Sequence, residues 1–267
     1  MHPIEHLRYV ARAAGEGPAL LAREAAGALA TFQADPAGLV TACRRLVGRQ
    51  PTSAPIWWLA ARVLGATVDG TAEAWRAAEE LEGDPTVDEL IAALPDDATI
   101  TVLGWPEQAG DALRRRGDAH VLVVDAAGEG HGFVRRLDAA GVEADLVEES
   151  GLGGAAAVSD LVLLEAMGLG PSGFVAIAGS RAAAAVAHHA GGRVWLVAGV
   201  GRVLPGRLWD ALVSRLDAAA EPWDSVDELV PLDLVDCVVG PTGPLPPEQA
   251  AKRADCPVAP ELLKELV

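Results

Sequence analysis

Residues 99–125 read TITVLGWPEQAGDALRRRGDAHVLVVD. Two short apolar runs, Thr99–Leu103 and His120–Asp125, flank a stretch with helical spacing, Pro106–Arg116. Continuous β-branched runs of this length suit strands buried on both faces, as in a parallel sheet. The alternation continues toward the C-terminus. Further apolar runs fall at Ala144–Val147, Leu161–Leu164, Phe174–Ala178, Val194–Ala198 and Val235–Val239. Helical patterns lie among them at Gly132–Ala140, Ser180–Ala190 and Leu208–Leu216. Alternating strands and helices predict right-handed crossovers and a Rossmann-like, doubly wound, mainly parallel sheet of the α/β class. Such sheets hold ligands beyond the carboxyl ends of their strands, so the loops that follow strands matter most.

Upstream the hydrophobic period is helical. Asp35-Pro36 places a capping carboxylate before a proline at the first helical position, and Leu39, Val40, Cys43, Leu46 and Val47 follow at helical spacing. Ile56, Leu59, Ala60, Val63 and Leu64 repeat the form, and Asp84-Pro85 opens a third segment with Val87, Leu90, Ile91 and Leu94 inward. Pro95-Asp96-Asp97 breaks the pattern. The expected division is a helical N-terminal domain, residues 1–95, and a Rossmann-like ligand-binding domain, residues 96–267.

Composition narrows the function classes. The chain has 267 residues, 51% of them hydrophobic, enough for a substantial core. No apolar run reaches the ~18 residues that span a bilayer. Met1–Val10 carries His2, Glu5, His6 and Arg8 and has no signal-peptide core. Cys43, Cys237 and Cys256 are sparse and lack CxxC spacing, which argues against disulfides or a metal site and for a reducing, cytoplasmic setting. The formal net charge is −17, with lysine only at Lys252 and Lys264. That field opposes nucleic-acid binding, which rests on phosphate neutralisation by basic side chains.

Four strand-end loops are candidates for chemistry. Asp125–Gly132 holds Gly128, Gly130 and Gly132, which allow close backbone approach, with Glu129 and His131 as an acid/base pair. The plain alternative is a flexible turn. Gly179-Ser180-Arg181 joins a strand to a helix, where free amides, the helix dipole and an arginine favour an anion. The alternative is a serine cap with an exposed arginine. Arg202 follows a strand through Gly199-Val200-Gly201 and stands at the ligand edge or simply at the surface. Glu165 closes the run Leu161–Leu164, as a desolvated acid or as the partner of an arginine or a backbone amide. His188 and His189 at a helix end need only the helix dipole, and Trp57, Trp58 and Trp75 suit packing. No nucleophile elbow, phosphate-binding P-loop or HExxH is present.

Together these segments resemble the translation initiation factor 2B alpha/beta/delta family, which includes methylthioribose-1-phosphate and ribose-1,5-bisphosphate isomerases. The resemblance runs from about Arg49 to Pro247. It is carried by Arg49-Gln50-Pro51-Thr52-Ser53, Asp125 with Gly132, Glu149-Ser150, Leu161–Ala166, Ser172-Gly173, Gly179-Ser180, Arg202, and Asp233–Gly243 with Pro246-Pro247. It implies a helical domain before a Rossmann-like one, a homodimer, and a pocket for a phosphorylated sugar or nucleotide, with no cofactor. The departures are as informative. The family's cysteine after the first α/β strand has no counterpart in Leu103-Gly104-Trp105-Pro106, and Met167 stands where it has the aspartate of Gly-Ala-Asp. Its Asn-Lys is missing from Ala176-Ile177-Ala178, and Ala127 replaces its arginine. Methionine cannot transfer a proton. The expectation is a phosphorylated-ligand binder without isomerase chemistry. The alternatives are an isomerase with acid/base roles moved to Glu129, His131 or Glu165, and a subunit acting through protein interfaces.

Overall fold

A computed structural model describes residues 18–219 and 221–263; Met1–Val10 and Lys264, read above, lie outside them. Among the described residues five α-helices precede the first strand: α1 (Pro18–Leu29), α2 (Pro36–Arg49), α3 (Ala54–Gly65), α4 (Gly70–Glu82) and α5 (Thr86–Ala93). Two of them, α2 and α4, start at an aspartate whose side chain satisfies an orphan amide. The Asp35 carboxylate accepts the Gly38 N–H at 2.9 Å and Asp69 caps α4 in the same way, whereas Asp84 stands one residue before the α5 N-cap Pro85 and accepts the Thr86 N–H.

The remainder alternates: β1 (Thr99–Leu103), α6 (Glu107–Arg116), β2 (His120–Val124), α7 (Gly130–Ala139), β3 (Ala144–Val147), α8 (Leu152–Val158) and β4 (Leu161–Glu165). Then follow β5 (Gly168–Gly170), β6 (Gly173–Ile177), α9 (Ser180–Ala190), β7 (Arg193–Val197), α10 (Gly206–Ala219), β8 (Asp227–Pro231), β9 (Cys237–Gly240), β10 (Gly243–Leu245) and α11 (Pro247–Ala250).

Seven strands form the main sheet in the order β10-β9-β7-β4-β1-β2-β3. All neighbours are parallel except the β9–β10 hairpin. The chain runs outward from β1 through β2 to β3, then returns to the other side of β1 at β4. The crevice between β1 and β4 is therefore the topological switch point, where doubly wound sheets place ligands.

One strand differs from the expectation. The apolar run Phe174–Ala178 predicts a strand of the parallel series. Its strand, β6, instead pairs antiparallel with β5 and with β8 in a separate three-stranded sheet. The cause is connectivity: only Pro171 and Ser172 separate β5 from β6, and a parallel pairing needs a crossover of a dozen or more residues.

Burial joins the two regions. The core of the helical region contains Trp57 and Trp58, fully buried, and is completed by Leu208, Trp209 and Leu212 of α10. Leu90 and Leu94, from the third helical segment predicted above, pack instead with Ile100, Val102 and Val121 of the sheet.

Candidate functional site

A cavity of about 270 Å³ opens at the switch point, over the carboxyl ends of β1 and β4. Its wall includes Glu107, Glu129, Glu165, Ser180, Arg202 and Trp105, with Gln50, Thr52 and Ser53 from the helical region. Glu165 is placed by β4. Its Oε1 accepts from Arg202 Nη2 at 2.9 Å and its Oε2 from the Ala109 N–H at 3.0 Å, in the first turn of α6. A carboxylate there is favoured by the helix dipole. Arg202 is 6% exposed, and its Nη1 donates to the Ala166 carbonyl. The arginine is therefore held by the protein itself. Both plain roles of Glu165, partner to an arginine and to an amide, are fulfilled at once.

Glu107 is the residue that sequence reading passed over. It opens α6, four residues beyond β1. Desolvation at the cavity wall raises its pKa, the Glu165 carboxylate raises it further, and Arg202 pulls the other way. Asp227, on β8, is also raised by burial, opposed by a hydrogen bond from the Thr52 hydroxyl. Trp105 was missed as well. It is 41% exposed, stands 5.9 Å from Phe133 between ring centroids, and lies under Arg136 at 5.6 Å.

The loop Asp125–Gly132 contributes only Glu129 to the wall. His131 is exposed in the first turn of α7. Asp125 binds the Gly130 N–H at 2.8 Å and so shapes its own loop. Gly128 has φ +73 and open space around it. Gly132 is required by packing, since a Cβ there would lie 2.8 Å from the Trp105 ring.

At the α9 N-terminus, Gly179 is the cap residue with φ +97, and no side chain caps the helix. Ser180 is therefore not a cap. Its side chain is fully buried at the cavity wall, and Oγ has no hydrogen-bond partner. The Arg181 side chain is exposed. The Arg181 N–H, one of the amides expected to hold an anion, donates to Glu228 Oε1 at 2.9 Å. A carboxylate of the chain itself takes that donor. Of the predicted site residues, Glu129, Glu165, Ser180 and Arg202 meet in the cavity; Gly128, Gly130, Gly132, His131, Gly179 and Arg181 do not line it. No cluster of His, Cys, Asp or Glu able to hold a metal occurs among the described residues. Among them, no helix is long and apolar enough to cross a membrane.

The architecture is that of the initiation factor 2B subunits. The chain is similar to the translation initiation factor eIF-2B of Pyrococcus horikoshii OT3, with TM-score 0.77 at 15% identity over 94% of this chain and 98% of that one. It is similar to eIF2B beta of Chaetomium thermophilum, with TM-score 0.71 at 17% identity over 92% and 88%. A chain of the tetrameric eIF2B-beta2-delta2 complex from C. thermophilum matches with TM-score 0.71 at 19% identity over 93% and 92%. These likenesses establish the fold. No family model matches the sequence, and no curated protein matches it.

Proposed function

We propose that this chain, with the fold of the initiation factor 2B subunits, binds a small hydroxyl-rich molecule of monosaccharide size in the switch-point cavity and does not isomerise it. The observation that carries this is the charge of the wall. Three carboxylates, Glu107, Glu129 and Glu165, face one arginine already held by Glu165 and a backbone carbonyl. Carboxylates accept hydrogen bonds from hydroxyls, and a half-exposed indole such as Trp105 offers an apolar face to a sugar ring. The volume, about 270 Å³, is at the lower bound of small-molecule sites and suits a sugar better than a nucleotide. A phosphate would meet repulsion from the wall and find the Arg181 amide taken. The unphosphorylated ligand is therefore favoured over the phosphorylated one that the family resemblance suggests.

The relocated-enzyme reading loses support from position. His131 lies outside the cavity wall, and both oxygens of Glu165 already carry donors. Met167, which lines the cavity where the resemblance expects an acid, cannot transfer a proton. Pairing of two copies through the α/β region belongs to the same reading. It is supported by the resemblance alone, and a strict monomer in sedimentation would remove it.

Calorimetric titration with ribose and ribose 5-phosphate, together with an assay on methylthioribose 1-phosphate, tests the proposal. Ribose should bind, ribose 5-phosphate should bind more weakly, and no turnover should occur. Tighter binding of the phosphate ester, turnover, or no binding of either sugar overturns it.

A further inference from the structure

A second, larger cavity of about 610 Å³ lies over the carboxyl ends of β7 and β9, separate from the site above. Its volume falls within the range of small-molecule sites. The floor is apolar: Ala198, Val200 and Val203 from the β7 end, Val238 of β9, Leu245 of β10 and Ala250 of α11. The rim is charged, with Arg76, Glu79, Glu80, Arg253 and Asp255, and two of these, Glu80 and Arg76, are matched by counter-charges inside the protein. Glu80 accepts two hydrogen bonds from Arg62, at 2.5 and 2.8 Å. Asp255 Oδ1 accepts Trp58 Nε1 at 2.6 Å, and Arg76 pairs with Glu73 at 2.9 Å.

Three rim charges, Arg253, Glu79 and Asp255, have no counter-charge within 4 Å among the described residues, and Asp255 is held instead by the Trp58 indole N–H. Arg253 donates to the neutral Thr242 hydroxyl at 2.7 Å and forms no ion pair. Glu79, on α4, likewise forms none; Arg23, the cation acting near it, is held by Glu82. Arg253 and Glu79 thus border the apolar floor as a cation and an anion without a counter-charge, beside an Asp255 already held by the Trp58 indole. A purely anionic ligand would satisfy Arg253 but face Glu79, and a purely cationic one would do the reverse. An apolar molecule without charge would leave both unmatched. A zwitterion matches both, because charge-assisted hydrogen bonds form at each end while the body is buried.

We propose that this cavity is a binding site for a free α-amino acid with a large apolar, preferably aromatic, side chain. The carboxylate meets Arg253, the ammonium meets Glu79, and the side chain lies on the Val200–Val238–Leu245 floor. The proposal is independent of the sugar reading, since Arg253 and Glu79 take no part in the switch-point cavity.

Calorimetry on the full chain tests it with L-tryptophan, L-phenylalanine and L-leucine. Two analogues each lack one charge: tryptamine has no carboxylate and indole-3-propionate no ammonium. L-Tryptophan should bind more tightly than either analogue, by about ten- to a hundredfold for each lost charge-assisted contact. Arg253→Ala should reduce L-tryptophan to the level of tryptamine, and Glu79→Gln to that of indole-3-propionate. Both positions are exposed, so both variants should retain the parental melting temperature. Leu245→Trp, which fills the floor, should abolish binding in a protein still folded by circular dichroism. The proposal is overturned if no amino acid binds, if either analogue equals L-tryptophan, or if the two charge variants bind like the parent.

Discussion

Arg202 Nη2 and Glu165 Oε1 lie 2.9 Å apart, with side chains only 8% and 10% exposed. The pair joins the end of β4 to the loop after β7 beneath the switch-point cavity. Removing one partner leaves an uncompensated buried charge, which costs about 3–5 kcal/mol. Arg202→Ala should therefore lower the unfolding free energy in urea by that amount. Replacing both, as Arg202→Met with Glu165→Leu, should cost clearly less than either single change. A single variant within ~0.5 kcal/mol of the parent would show that water already reaches the pair.

Glu107 carries a testable pH dependence. Burial and the nearby Glu165 raise its folded-state pKa above the unfolded value. For an acid, a raised folded pKa means that the native state binds the proton more tightly. Its contribution is then present below the unfolded value, roughly pH 4.3, and is lost as pH rises through the folded pKa. At neutral pH the ionised Glu107 works against the fold. Glu107→Gln should shift the urea midpoint upward at pH 7, with the difference vanishing near pH 4. An equal shift at both pH values would assign the effect to packing.

Gly170 tests the small sheet. A Cβ at this position would come 2.2 Å from the ring of Trp209, whose Nε1 is anchored on Ser172 Oγ at 2.9 Å. Trp209 is 1% exposed and has no room to retreat. Gly170→Ala should destabilise by about 1–3 kcal/mol through overpacking. The double variant Gly170→Ala with Trp209→Leu should be less impaired than the sum of its singles. Strict additivity in thermal melts would place the cause in the backbone instead.

Legibility in the sequence followed the range of the interaction. Local signals were sufficient where capping or hydrophobic period decides, as at Asp35-Pro36 and in the strand-helix-strand unit of residues 99–124. They misled at β6, where a buried apolar run has the same composition in either orientation and only the two-residue spacing from β5 fixes the hairpin. Strand β8 begins Asp227-Glu228 and ends at Pro231, so it lacks the apolar run that betrays a strand. In the site, Glu165 and Arg202 could each be named as strand-end residues. Their mutual engagement, 37 positions apart in sequence, could not. Glu107 escaped because nothing local marks a carboxylate that a neighbouring strand end will desolvate.

At the α9 N-terminus the Arg181 N–H is held by Glu228 Oε1 at 2.9 Å. Strand-to-helix turns of this architecture accept anions because their first amides are unsatisfied and the dipole favours negative charge. Here a glutamate from β8 already stands in that place, so phosphate must displace a tethered carboxylate and approach it against like charge. The parent protein should discriminate against ribose 5-phosphate relative to ribose. Glu228→Ala frees the amide and removes a negative charge while leaving the β6–β8 ladder, which is backbone, intact. A charge-assisted hydrogen bond to the freed amide contributes about 1.5–3 kcal/mol, so affinity for the phosphate ester should rise roughly ten- to a hundredfold. Affinity for ribose itself should stay level, because Glu228 does not line the cavity. Glu228→Gln should give a smaller gain, since its amide oxygen still accepts from Arg181. If the alanine variant gains affinity for both sugars alike, Glu228 shapes the cavity as a whole. If it gains for neither, the helix end takes no part in ligand selection, and exclusion of phosphate rests on Glu107, Glu129 and Glu165 alone.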